Sequence, residues 1–381
     1  MTEEANTYYK LGLLKLDAGD YEGALVSFNQ AIEIDPNNAD YYINRSESKG
    51  RSDDFQGAID DGTKAIEIDP TCFGHYYTRG NARGASGDFQ GAIDDYTKVV
   101  ELKSDGFEIY YSRGCAKINL DDYQGAIDDF DKAIEIEPND SENFRNRGIA
   151  KNSLGDFQGA IDDYDKAIKI DPQSYYAYFN RGWSYKNLGN HESAINNYTR
   201  AIKVFPGFDS AYHQRGLSKS HLGDYQGAVD DYTKVLEIDP NNSEIYFQRA
   251  INKRKLDDYQ GAIDDYTKTI EINPVDSNAF MNRGIAKKFS GDLKGAIEDY
   301  DKGLEINPND AIAYLNRGNI KETVGDRKGA CEDWGKAATL GDVSAAECLE
   351  EYCRGDKTDN QSLSIKEDLQ KEGRSKYESG D

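Results

Sequence analysis

Apolar and small residues recur along this chain in a fixed frame of 34 positions. Frames starting at residues 5, 39, 73, 107, 141, 175, 209, 243, 277 and 311 give ten units with no insertion or deletion. Column 4 is aromatic in all ten, from Tyr8 and Tyr42 to Phe280 and Tyr314; column 8 is always small; column 20 is always Ala, from Ala24 to Ala330. Column 24 is aromatic except at Gly62, and column 32 holds every proline, Pro36 to Pro308. Apolar or small residues at columns 4, 8 and 11 or 14 form one helical stripe, and columns 17, 20, 21, 24, 27 and 28 form a second. Each unit therefore predicts two helices, A and B.

The boundaries are written in the same frame. Gly-Asp or Asp-Asp separates the stripes: glycine suits the left-handed end of helix A, and Asp caps helix B. Asp-Pro or Asn-Pro at columns 31–32 stops helix B. The string GDFQGAIDDY, present at 87–96 and again at 155–164, is thus a turn, a cap and the buried face of a helix. The small Ala of column 20 allows neighbouring helices to approach; a bulky residue there overpacks the contact by roughly 1–3 kcal/mol.

A 34-residue helix-turn-helix unit with small, Ala, aromatic and Pro columns resembles the tetratricopeptide repeat (TPR) family. The resemblance spans residues 5–344, and strings such as NRGIAK and GDYQGAVDDYTK look most like bacterial, notably cyanobacterial, members. It implies an all-α, right-handed superhelical α-solenoid of ten repeats, with helix A lining a concave groove. Residues 1–4 are then a leader, 345–353 a C-terminal capping helix over the last open face, and 354–381 a polar tail, disordered or loosely helical near 364–373. The junction ELKSDG (101–106), which lacks Pro, and Gly62, expected to leave a hole, are candidate weak points.

Charge narrows the partners. The net charge is −24, which disfavours nucleic acid and anionic membranes. The start, MTEEANTYY, has no basic region or apolar run, so a cytoplasmic setting is expected, with the five cysteines as reduced thiols. His213 and His221 lie two turns apart, too far to share a metal, and no calcium loop, phosphate loop or nucleophile motif occurs. No cofactor and no enzymatic activity are expected.

The recurring Asp-Asp pair of columns 22–23 is too frequent for an active site. A structural partner stands at column 7, which is Arg in nine units: Arg45, Arg79, Arg113, Arg147, Arg181, Arg215, Arg249, Arg283 and Arg317. We expect these to reach column 22 or 23 carboxylates such as Asp61, Asp95, Asp129, Asp163, Asp231, Asp265, Asp299 and Asp333. Unit 1 lacks both members, carrying Leu11 and Val26-Ser27, and unit 6 has Asn196-Asn197. Column 22 also stands four residues before a Lys, as in Asp60/Lys64 and Asp94/Lys98, a spacing that predicts intrahelical pairs.

The resemblance places a ligand groove on columns 2, 5, 6, 9, 12 and 13 of helix A. Column 6 carries amides at Asn44, Asn146, Asn180, Asn282 and Asn316, with Gln214 and Gln248 between, similar to the asparagine ladder by which some TPR proteins grip a peptide backbone. Units 5 to 9 add Arg145, Phe179, Trp183, Lys186, His213, Phe247, Arg254, Lys255, Met281, Lys288 and Phe289, an aromatic and basic lining in an acidic protein. The family's carboxylate clamp does not carry over, since Arg145 at column 5 is accompanied by Ile149 at column 9 rather than Asn. The expected role is a non-enzymatic adaptor for a protein or extended peptide, acidic or C-terminal segments included. The alternative is a structural, self-assembling scaffold acting through the acidic convex face, for which homo-oligomers would be the sign.

Overall fold

The computed structural model describes residues 3–102 and 106–353. Among these residues there are 21 α-helices, a closing π-helical turn and no strand. They fall into two compact units, Met1–Val204 and Phe205–Asp381. Each is a stack of antiparallel helix pairs, repeats 1–6 in the first and 7–10 in the second. The Ser and Asp at 104–105, and the tail 354–381, lie outside the described residues, so the expected bend and the expected disorder carry no structural account.

Helix A of repeat 1 is Glu3–Asp17, two residues longer than the leader boundary implied, with Glu3 and Glu4 complementing the helix dipole. Its helix B, Tyr21–Ile34, starts where Asp20 Oδ1 accepts the Gly23 N–H at 2.9 Å. The same cap recurs at Asp54, Asp88, Asp122, Asp156, Asp224, Asp258, Asp292 and Asp326. It explains the glycine of column 19: a Cβ on Gly159 would stand 2.1 Å from Asp156 Oδ2. In repeat 6 Asn190 caps Ser193 instead. Helix A ends in a left-handed residue, glycine in most repeats but Asp53, Asp121 and Asp257 in three.

The core is the A–B seam. Every column 20 alanine is fully buried, and the column 24 rings lie against the small column 8 residue. A Cβ on Gly148 would sit 2.7 Å from the Tyr164 ring, so the absent side chain is what admits the aromatic one. Gly62 leaves no hole, because the Arg79 stem fills the space and a Cβ would meet it at 2.9 Å. Column 14 does not belong to the buried stripe: Leu154, Leu188 and Leu222 are about half exposed at the end of helix A.

The carboxyl-terminal cap starts two residues earlier than expected. Asp342 accepts the Ala345 N–H and opens the helix Val343–Cys348, which continues as a π-helical turn over Leu349–Cys353. This turn folds back on helix B of repeat 10, Arg327–Thr339, and Arg327 donates to the Tyr352 carbonyl. The fold-back brings Cys353 to Cys331, and the two form a disulfide with their Cα atoms 6.0 Å apart. The expectation of five reduced thiols is therefore wrong for this pair; Cys72, Cys115 and Cys348 are free. The partners are 22 residues apart on different elements, a juxtaposition that cysteine spacing does not reveal.

Candidate functional site

Two sets of polar side chains are built on helix A. The first faces helix B and forms a repeated ion-pair ladder. In repeat 2, Arg45 donates from Nε and Nη2 to Asp61 at 2.8 and 2.6 Å. Equivalent bidentate pairs join Arg79 to Asp95, Arg113 to Asp129, Arg147 to Asp163, Arg215 to Asp231, Arg249 to Asp265, Arg283 to Asp299 and Arg317 to Asp333. The acceptor is always column 23 of the same repeat. The third arginine nitrogen reaches column 25 of the repeat before, as Arg79 does to Thr63 and Arg249 to Thr233. Each guanidinium also lies 5.4–5.9 Å from the centre of its column 4 ring, as for Arg45 over Tyr42 and Arg79 over Tyr76.

A second cation completes each rung. Column 11 is not apolar but Lys or Arg, and Lys49, Arg83, Lys117, Lys151, Lys219, Lys253, Lys287 and Lys321 all contact the same carboxylate. Each Asp is nearly inaccessible and holds two cations. Repeat 6 changes both partners together: Asn197 replaces the Asp, Tyr185 replaces the column 11 cation, and Arg181 donates to Asn197 at 2.7 Å. The sequence signal for this second cation is column 11 itself, which is Lys or Arg in nine of the ten units, although the helical stripe predicts an apolar residue there.

The column 22 carboxylates do something else. Asp60 and Asp94 accept from Gln56 and Gln90 one turn earlier, while Lys64 and Lys98 turn forward to Glu67 and Glu101. The expected Asp60/Lys64 and Asp94/Lys98 pairs are not made, because each Lys meets a Glu three residues on. All these groups stay solvated on helix B.

The second set is the face of helix A that points away from helix B. In residues 3–204 much of it is internally satisfied. Arg145 pairs with Glu142 on its own helix and lies over the Tyr176 ring. Asn146 is buried and donates to the Tyr111 hydroxyl, and Asn44 donates to Tyr9 and to the Asp40 carbonyl. Trp183 meets Phe157 edge-on and Phe179 leans on Tyr198. Asn180 is half-buried, and burial pulls Lys186 below the usual lysine range.

Residues 205–353 differ. His213 and Phe247 lean on Tyr232 and Tyr266, Gln214 is half-buried, Gln248 donates to Glu244, and Asn282 donates to its own helix. Asn316 is half-buried with no side-chain hydrogen bond among the described residues. Met281 does not line this face; it is buried in the core against Gly303, because its flexible thioether fills the space that glycine leaves. Arg254, Lys255 and Lys288 have no carboxylate partner among the described residues, and Phe289, 58% exposed, stacks on Tyr259 at 5.5 Å.

Stacked helix pairs with a saturated seam and a variable outer face of helix A define a repeat protein of the helical-hairpin class. A profile described as "TPR repeat" matches residues 12–47, 148–189 and 290–325, and one described as "Tetratricopeptide repeat" matches 107–140, 175–208 and 210–242. The chain belongs to the tetratricopeptide repeat family. No curated protein matches its sequence. Among solved structures, the C-terminal part of a TPR protein from Cytophaga hutchinsonii is 22% identical over 62% of this chain and 97% of its own, with a TM-score of 0.56. YrrB, titled a TPR protein with an unusual peptide-binding site, is 25% identical over 49% of this chain and 96% of its own, with a TM-score of 0.44. MamA from Desulfovibrio magneticus RS-1 is 23% identical over 44% and 94%, with a TM-score of 0.42.

TPR proteins generally mediate protein–protein interactions, and no described helix is long and apolar enough to cross a membrane.

Proposed function

We propose that this chain is a non-enzymatic adaptor that binds a protein or extended peptide on the outer faces of its A helices. One observation carries the reading. Seam cations at columns 7 and 11 are each closed by a partner, whereas Arg254, Lys255 and Lys288 on the outer face have none among the described residues, in a protein of net charge −24. An acidic chain has carboxylates to spare, so cations left open on one face are available to an outside group. Rings beside them, the half-buried Phe247 and the exposed Phe289, supply apolar anchors.

A random-peptide display selection on the full chain tests this, run beside an Arg254→Glu/Lys255→Glu variant with unchanged circular dichroism. Peptides enriched by the wild type and lost by the variant support the adaptor. Equal enrichment moves binding to another face. No enrichment, with concentration-dependent oligomers in sedimentation velocity, replaces the adaptor by a self-assembling scaffold. The Cys331–Cys353 bond fits an oxidising compartment better than a reducing cytosol, and alkylation of the native protein before unfolding, read by mass spectrometry, decides between them.

A further inference from the structure

Repeats 1 and 10 depart from the other repeats at the same contact. Within the array, column 7 arginines pass one nitrogen to column 25 of the repeat before: Arg45 to Asn29, Arg113 to Thr97, Arg283 to Thr267 and Arg317 to Asp301. Column 25 is Asn, Thr or Asp in nine repeats and Gly335 in the tenth; column 7 is Arg in nine and Leu11 in the first. The donor is missing at one end of the array and the acceptor at the other.

Column 10 repeats the pattern. It is buried with columns 20 and 24 of the preceding repeat, Ala116 with Ala92 and Tyr96, and Ala286 with Ala262 and Tyr266. From Ser48 to Ile320 it is buried in nine repeats; in repeat 1 it is Leu14, 68% exposed, one turn from Leu11, 40% exposed. Two leucines thus stand in water on the face with which every later helix A meets the repeat before it.

The matching face of repeat 10 is apolar and covered. Residue 345 lies one frame of 34 after Ala311, so the cap takes the place of an eleventh helix A, and Ala345 is buried against Ala330, Trp334, Ala337 and Ala338. A Cβ on Gly335 would meet nothing within 4 Å. The cap is short, six residues of helix and a π-helical turn. Its far end is pinned by the Cys331–Cys353 bond, by Arg327 on the Tyr352 carbonyl and by Tyr352 against Trp334 at 5.8 Å. Both bonded cysteines are partly exposed.

We propose that the cap is a thiol-released lid, and that the repeat 10 face beneath it takes the repeat 1 face of a second copy, Leu11 over Gly335 and Leu14 over Ala330 and Trp334. This goes beyond the adaptor reading and does not depend on it. The opening step needs a dithiol. One of its thiolates attacks a sulfur of the Cys331–Cys353 bond, and its second thiol closes the reductant's own disulfide. Cys331 and Cys353 leave as two thiols, a transfer of two electrons and two protons. The contact is heterologous, so joined copies keep one free face of each kind and growth continues past the dimer.

Sedimentation velocity of the full chain, with and without dithiothreitol, tests this. The oxidised chain is expected to be monomeric, and the reduced chain to reach a weight-average mass at least about twofold higher. Leu14→Glu and Gly335→Arg should each hold the reduced chain monomeric. A mixture of the two variants keeps one intact face of each kind and should form dimers and nothing larger. Hydrogen exchange over residues 343–353, at dilutions where the chain is monomeric, should quicken about tenfold or more on reduction. A reduced chain that stays monomeric, association that survives Leu14→Glu, or exchange over 343–353 unchanged by dithiothreitol overturns the proposal. Dimers of the oxidised chain that Leu14→Glu abolishes also overturn it, since they join repeat 1 to repeat 1.

Discussion

Repeats 5 and 8 share one scaffold and finish it differently. Both have the same rung, Arg147 and Lys151 on Asp163 in one, Arg249 and Lys253 on Asp265 in the other. Above the rung, repeat 5 is closed: Asn152 donates to Tyr164 and accepts from Ser184 of the next repeat, and Arg145 is held by Glu142. Repeat 8 has Arg254 where Asn152 stands, and leaves the Tyr266 hydroxyl and Arg254 Nε unpartnered. The lesson is that the seam is fixed by the fold, while column 12 varies in how it meets the column 24 ring.

Breaking the shared part should cost most. Asp265→Ala leaves Arg249 and Lys253 facing each other without a counter-ion, and urea denaturation should show a loss of about 3–5 kcal/mol. Asp163→Ala should cost as much, since the rungs are alike; a large difference would break the comparison at its base. Alkaline pH attacks both repeats together. Burial raises Tyr111 and Tyr266 to about 12 and shifts Tyr164, Tyr198, Tyr232 and Tyr300 upward too. An unfolded phenol loses its proton near pH 10 while these keep theirs, so the folded state binds more protons and stability falls as pH rises above about 10. Denaturation midpoints should change little between about pH 7 and 10 and fall above it.

Smaller effects sharpen the contrast. Tyr164→Phe removes a made hydrogen bond and strands Asn152, for about 1–2 kcal/mol. Tyr266→Phe removes an unpartnered hydroxyl and should be neutral or slightly stabilising by the same denaturation assay. Smallest, Asp53→Gly relieves a left-handed non-glycine residue at φ 62° and should raise stability by about 0.5 kcal/mol, seen as a higher melting temperature.

Much of this fold could be read from the columns, because each packing contact is repeated up to ten times and stands out as a position with one kind of residue. The Arg side of the ladder was legible for the same reason. What escaped were choices between neighbouring partners: Lys64 turns to Glu67 rather than Asp60, and Gly62 is filled by the next repeat's Arg79. The outer face was legible only as a list of positions. Arg145 at column 5 and Arg254 at column 12 both stand in the sequence as cations of the outer face, and only the side-chain geometry shows that the first is closed by Glu142. The disulfide depends on how the cap folds back, which no repeat column encodes.

The direct test compares those two arginines. The capped acidic hexapeptide EEEFEE, titrated into Arg145→Gln and Arg254→Gln chains, should bind the first as it binds the wild type and the second about tenfold more weakly. Equal losses, or a larger loss at Arg145, would contradict the claim that the open cations of repeats 8 and 9 are where this protein meets its partner.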